Sequence, residues 1–277
     1  DFLIRNNYSR DCVIFGIGGG ITCDMTGFIA STFLRGVDFV LVPSTLLSQV
    51  DASIGGKTGV NHKGFKNMIG TFNQPAQVLI DTKFLKSLSK LEIQCGMMEV
   101  IKHGLISDKK FFVWLEKNLN QILTLKPQFI EKAIKRSIEI KADVVTKDER
   151  ENGIRAILNF GHTFGHALET IGNNKLYAHG EAVALGMLAA TKLSESSLDL
   201  DCKVFDRVHS IIKNTGIKVN LKKKIVPKKL IKLMQSDKKK SDSQLKFILL
   251  EKIGQAKIKS IKNEVLIENA IKNSLFY

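Results

Sequence analysis

Apolar and polar positions follow two different rhythms along the chain, and the change falls near residue 88. Before it, short apolar runs are bounded by Gly, Pro and hydroxyl residues. Residues 11–17, Asp-Cys-Val-Ile-Phe-Gly-Ile, predict a buried strand. Gly18-Gly19-Gly20 follows, and then a small-residue helical pattern from Asp24. Residues 37–42 predict a second buried strand and residues 78–81 a third, short one. Strand, helix, strand, strand alternation predicts an α/β layer over residues 1–88. Beyond it the apolar residues recur at helical spacing. Helices are expected over 91–106, 111–119, 129–148, 181–196, 203–214, 227–235 and 264–274. A strand and turn at 246–254, then residues 256–258, interrupt them. Residues 89–277 therefore predict a mainly α-helical second domain.

The turns of the first part suit anions. A strand, a Gly-rich turn and a helix N-terminus leave free backbone N–H groups and the helix dipole pointing at one place. The dinucleotide fingerprint G-x-G-x-x-G fails, because Ile21 and Cys23 stand where its last Gly is required. Any dinucleotide is then held by a variant turn. Pro43-Ser44-Thr45 places hydroxyls for phosphate or ribose. Gly55-Gly56-Lys57-Thr58-Gly59 is not a P-loop, since Asp51 replaces its first Gly, but it allows close approach of an anion to Lys57.

In the helical part, Glu99 and Lys102 lie one turn apart, and spacing alone predicts a solvated ion pair. Lys141 falls inside the apolar stripe of its helix, so it either snorkels or faces a polar pocket. His162 and His166 are four apart and share one helix face; His179 opens the next helical pattern. Three imidazoles near Gly-rich backbone suit a divalent metal if a carboxylate joins them. Thr163 stands where H-E-x-x-H needs Glu, which disfavours a zinc protease. His62, His103 and His209 are expected in the core or on the surface.

Composition narrows this picture. With 277 residues and 44% hydrophobic content, the chain is globular, and no apolar run reaches membrane-spanning length. The formal net charge of +15 is concentrated in Lys222–Lys224, Lys228-Lys229 and Lys238–Lys240. No aromatic residues interleave these lysines, so nucleic acid and membrane are not the expected partners. The four cysteines lie far apart without C-x-x-C spacing, as expected of reduced thiols in a cytoplasmic protein.

Seven blocks, in order, resemble the 3-dehydroquinate synthase family of the sugar phosphate cyclases. They are Gly18-Gly-Gly with Asp24, Pro43–Asp51, Gly55–Asn61, Lys66–Gly70, Gly96–Lys102, Asn159–His166 and His179-Gly-Glu181. The resemblance implies a lyase of the shikimate pathway and aromatic amino-acid biosynthesis, dependent on NAD and on zinc or cobalt. It converts 3-deoxy-D-arabino-heptulosonate 7-phosphate to 3-dehydroquinate and phosphate. The implied metal ligands are Glu99, His162 and His179; the implied catalytic groups are His166, Glu151 and Lys102. Substrate contacts carry over to Arg35, Asp51, Lys57, Asn67, Lys141, Arg155, Asn159 and Lys239, and NAD contacts to Gly19, Gly20, Asp24, Ser44, Thr45 and Lys66. A homodimer is implied. Relatives begin with further strands and helices, so the nucleotide-binding layer is expected to be N-terminally short. Cys95 stands where some relatives present a polar substrate contact, and no role is assigned to it. The nearest rival is a sibling cyclase such as 2-deoxy-scyllo-inosose synthase, whose substrate lacks the carboxylate that Arg155 and its lysine neighbours suit. A distant rival is a basic nucleic-acid-binding protein with structural zinc.

Overall fold

A computed structural model describes residues 1–62, 65–172, 175–237 and 245–275, with the side chains of 65, 66, 236 and 237 outside that description. After a short helix α1 (Phe2–Arg5), strand β1 (Val13–Gly18) leads through helix α2 (Gly20–Thr32) to strand β2 (Asp38–Pro43), paired parallel to β1. Strands β3 (Lys57–His62) and β4 (Phe65–Phe72) form an antiparallel hairpin, and β5 (Gln77–Val78) adds to β2 to give the parallel order β1-β2-β5. A small core of Cys23, Ala30, Val37, Phe39 and Leu41 lies between sheet and helix.

The second part is helical: α3 (Lys90–Ser107), α4 (Lys109–Leu123), α5 (Pro127–Lys147), α6 (His162–Ile171), α7 (His179–Leu198), α8 (Lys203–Asn214), α9 (Pro227–Asp237) and α10 (Glu264–Leu275). The hairpin β6 (Leu245–Lys252) and β7 (Gln255–Ile261) packs among them. The expected α/β layer followed by helices is therefore what the chain forms.

Two expectations change. The β1 strand is open on one face: Val13, Phe15 and Ile17 are 47%, 58% and 62% exposed. Only its other face meets α2, where a Cβ on Gly16 would lie 2.4 Å from the Thr26 hydroxyl. The β3–β4 hairpin, where an anion loop was expected, carries too few β-branched residues to announce itself. Gly59 and Gly70 pair across its two strands, and a Cβ on Gly70 would come within 2.1 Å of the Thr58 carbonyl.

Helices α3 and α7 are central and apolar nearly all round, as a fully enclosed helix must be. Every residue from Ile93 to Ile106 is buried, as is every residue from Gly180 to Thr191. A capping box starts α3: the Ser89 hydroxyl accepts from the Glu92 N–H, and the Glu92 carboxylate accepts from the Ser89 N–H. At the start of α7, Glu181 accepts the Ala178 N–H at 2.8 Å and pairs with Lys222 at 2.6 Å. Glu181 in His-Gly-Glu is thus a helix-capping group.

Glycine sets the spacing between α6 and α7. Gly161, at φ +81°, caps α6, and a Cβ on Gly186 of α7 would lie 2.0 Å from the Gly161 carbonyl oxygen. Because backbone rather than a flexible side chain fills that space, Gly186→Ala is expected to cost about 1–3 kcal/mol through overpacking. Chemical denaturation measures this; an unchanged midpoint would show that the two helices can part freely.

Candidate active site

Three helices bring the predicted ligands together. Glu99 lies mid-way along α3 and is fully buried. His162 begins α6 and His179 begins α7. The two Nε2 atoms each lie 3.7 Å from Glu99 Oε1. One ligand atom from each of the three residues falls within 4.8 Å of the others. A tetrahedral ion with bonds of about 2.0–2.1 Å needs donors roughly 3.4 Å apart, so the set closes on a metal with little movement. The donor chemistry fits as well. Phe160 O, 3.3 Å from His162 Nδ1, can only accept, which puts the proton on Nδ1 and leaves the Nε2 lone pair facing Glu99. Neither Glu99 oxygen receives a hydrogen bond of ordinary geometry among the described residues. Glu99 Oε2 pairs with Lys102, so Oε1, with the two Nε2 atoms facing it, is the oxygen placed to share a cation with the imidazoles.

Lys102 pairs with Glu99, and both are buried. The solvated pair expected from spacing is corrected here: tertiary packing, not i,i+3 proximity to water, sets the environment. Burial alone would raise the Glu99 carboxyl, but Lys102, His179 and His162 outweigh it and hold the group well below its usual range. His166 is exposed and its ring stands edge-on to that of His162, 5.3 Å between centroids. It shares a cleft with Asn159, Thr163, Leu233 and Met234.

Beside this cluster, a one-turn π-helix over Ser48–Ala52 presents Asp51 to α5. Lys141 donates to the Asp51 carbonyl at 2.6 Å and to its carboxylate at 2.5 Å. Lys141, ambiguous by periodicity, therefore faces a polar pocket while only 7% exposed. Glu151, at φ +58°, joins Lys57 of β3 to the Asn159 side-chain amide. Lys57, Thr58 and Asn67 line one cleft with Asp24 of α2, so predicted cofactor and substrate contacts adjoin.

Residues 1–95 match the family described as 3-dehydroquinate synthase N-terminal, and residues 96–240 the one described as 3-dehydroquinate synthase C-terminal. The chain belongs to the 3-dehydroquinate synthase family. It is 46% identical over 256 residues to the 3-dehydroquinate synthase of Nitrosomonas europaea, covering 92% of this chain and 69% of that protein. Its fold is similar to 2-epi-5-epi-valiolone synthase from Streptomyces hygroscopicus subsp. jinggangensis 5008, solved with NAD+ and Zn2+ bound. The TM-score is 0.90 at 26% identity, over 99% of this chain and 76% of that one. It is also similar to 2-deoxy-scyllo-inosose synthase complexed with carbaglucose-6-phosphate, NAD+ and Co2+, with a TM-score of 0.89 at 26% identity over 99% and 77%.

Other predicted residues of this 3-dehydroquinate synthase family member fall as follows. Gly19 and Gly20 start α2, and Gly19 packs on Thr45, whose hydroxyl bonds Ser48 at 2.8 Å. The Ser44 N–H donates to the Gly18 carbonyl at 2.8 Å. Burial, then the nearby Asp51 carboxylate, push the Asp24 carboxyl up to about 6. Arg155 is buried, and its guanidinium donates to the carbonyls of Gly55, at 2.8 Å, and of Glu149. It ties the loop before β3 to the helical part. Arg35 is exposed just past the C-terminal end of α2, a 13-residue helix and so about 20 Å from the Gly-rich turn. No hydrogen bond of its side chain occurs among the described residues. Lys239 and the Lys66 side chain lie outside the described residues. Cys95 packs against Gly180, where a Cβ would meet its Cα at 2.3 Å, so it serves the α3–α7 contact.

The buried imidazoles couple stability to pH. Burial, reinforced by the Lys102 charge, pushes His103 and His162 down to about 3. The unfolded chain takes up their protons near the ordinary value of about 6.5, whereas the fold resists. Metal-free protein therefore loses stability as pH falls below about 6.5. His179 behaves oppositely. Burial would lower it, but Glu169 and Glu99 outweigh burial and raise it to about 9. Its contribution is complete below about 6.5 and is lost as pH rises through about 9. His103→Phe is expected to shrink the stability difference of metal-free protein between pH 6.5 and 5, measured by denaturant titration. An undiminished difference would show that His103 takes no part.

Proposed function

We propose that Glu99, His162 and His179 form the metal centre of a 3-dehydroquinate synthase. It acts on 3-deoxy-D-arabino-heptulosonate 7-phosphate and yields 3-dehydroquinate and phosphate, with NAD and zinc or cobalt as cofactors. The observation that carries this reading is the convergence of two imidazole Nε2 atoms on one buried carboxylate oxygen, 3.7 Å from each. When bound, the metal ion supplies Lewis acidity and NAD+ supplies a hydride acceptor.

The protein's own groups divide the remaining work. Lys102, held beside Glu99, offsets the charge of the ligand carboxylate and places an ammonium next to the substrate hydroxyls. Lys141 and Lys57 supply positive charge for the substrate's anionic groups, while Asp51 and Glu151 hold those ammonium groups in place. Asn159, bonded to Glu151, and Asn67 provide neutral polar contacts. His166 passes a proton at an imidazole nitrogen, because it alone of the three imidazoles is exposed in the cleft. Glu151 is the second proton acceptor. Asp24 and the turn at Gly19, Gly20, Ser44 and Thr45 receive NAD.

The N-terminal NAD-binding part is proposed to end near residue 88 and the metal- and substrate-binding part to follow it; the division between the two family matches at residue 95 lies close by. A homodimer in the cytoplasm completes the reading, and all four cysteines are free thiols. A sibling cyclase activity is disfavoured by 26% identity to 2-deoxy-scyllo-inosose synthase against 46% to a 3-dehydroquinate synthase. The test offers the metal- and NAD-loaded protein both substrates and measures inorganic phosphate. Release from the heptulosonate phosphate alone is expected; release from glucose 6-phosphate alone would move the chain to the sibling class.

A further inference from the structure

We propose that Glu169 is the positioning residue of His179: it fixes the imidazole tautomer so that Nε2 is free to bind the metal. The inference rests on the metal-centre reading above. Glu169 lies on α6, seven residues and two turns beyond His162, and is only 6% exposed. Its Oε1 is 3.4 Å from His179 Nδ1, while His179 Nε2 faces Glu99 Oε1 at 3.7 Å. A carboxylate only accepts, so Glu169 keeps a proton on Nδ1, and when a cation comes between Nε2 and Glu99 it is Nε2 that gives up its proton and offers the lone pair.

The two imidazoles are thus held by the same rule with different acceptors. Phe160 O takes the Nδ1 side of His162, and Glu169 takes that of His179. The difference has a structural reason. His162 follows a turn whose backbone carbonyl is at hand, fixed by Gly161 in its left-handed conformation. His179 opens α7 and its side chain remains 32% exposed, so nearby backbone and close packing do less to fix its ring. A charged acceptor from the neighbouring helix supplies the orientation and makes the ring a stronger donor to a cation. Glu169 and His179 lie on the two helices whose backbones approach closely at Gly161 and Gly186.

Metal affinity of the folded chain, measured by competition with a zinc chelator, tests this without reference to turnover. Glu169→Ala is expected to bind zinc about 10- to 100-fold more weakly. Glu169→Gln keeps an acceptor oxygen and the side-chain volume, so it should recover part of that loss. His162→Ala, run alongside, reports on the metal centre itself. Zinc loss in His162→Ala with wild-type affinity in Glu169→Ala would overturn the role of Glu169 alone. Wild-type affinity in His162→Ala would overturn the underlying ligand set. Equal losses in the Ala and Gln variants would overturn the hydrogen-bond argument. If the Ala variant does not fold, the Gln variant decides: weaker binding supports the proposal and unchanged affinity overturns it.

Discussion

Glu99→Gln is expected to leave the protein without tightly held zinc and to lower the stability of the metal-free fold by about 3–5 kcal/mol. The two effects have separate origins. Zinc is lost because the centre gives up its one charged ligand among the three converging donors. Stability is lost because Lys102, 1% exposed, pairs with Glu99 and would be left as an uncompensated buried charge. Denaturation of metal-free protein isolates the second effect from the first. A variant that retained wild-type zinc would remove Glu99 from the ligand set. One with an unchanged metal-free midpoint would show that Lys102 reaches water when its partner is gone.

Lys141→Met is the second large change. The ammonium is buried and bonded to both the carbonyl and the carboxylate of Asp51. On the proposed function its loss removes a charge-assisted contact to an anionic substrate, which at about 1.5–3 kcal/mol corresponds to roughly 10- to 150-fold in kcat/KM. It also frees Asp51. Burial would raise that carboxyl, but Lys141 outweighs burial and brings it down to about 2. A depressed carboxyl contributes stability that is present above the unfolded value of about 3.9 and is lost as pH falls through about 2. The variant should therefore lose about 1–3 kcal/mol near neutral pH, less than for Glu99 because the Asp51 side chain keeps 26% exposure. Its stability should also fall less between pH 4 and 2. Steady-state kinetics and acid titration check the two parts; wild-type kcat/KM would place Lys141 outside the substrate pocket.

Local pattern carried the helices well, because long amphipathic or wholly apolar runs such as those of α3 and α7 have one reading. It carried the strands less well. The β3–β4 hairpin pairs Gly59 with Gly70 across its strands, and glycine gives no alternation to detect. Burial of Glu99 and Lys102 depends on α6 and α7 closing over α3, which i,i+3 spacing cannot express. Arg155, given a substrate contact by the resemblance, also donates to the carbonyls of Gly55 and Glu149, and the first of these spans 100 residues of chain that local spacing cannot express. Glu169 was within reach of the sequence: His162, His166 and Glu169 at intervals of four and three make one helical stripe. What the stripe lacked was the partner, since His179 arrives from the next helix.

X-ray absorption at the zinc edge of the metal-loaded chain tests the central claim most directly. The account predicts two imidazole nitrogens at about 2.0–2.1 Å with the remaining donors oxygen, and no sulfur. Scattering from a sulfur at about 2.3 Å, or from a single imidazole, would contradict the Glu99, His162 and His179 centre.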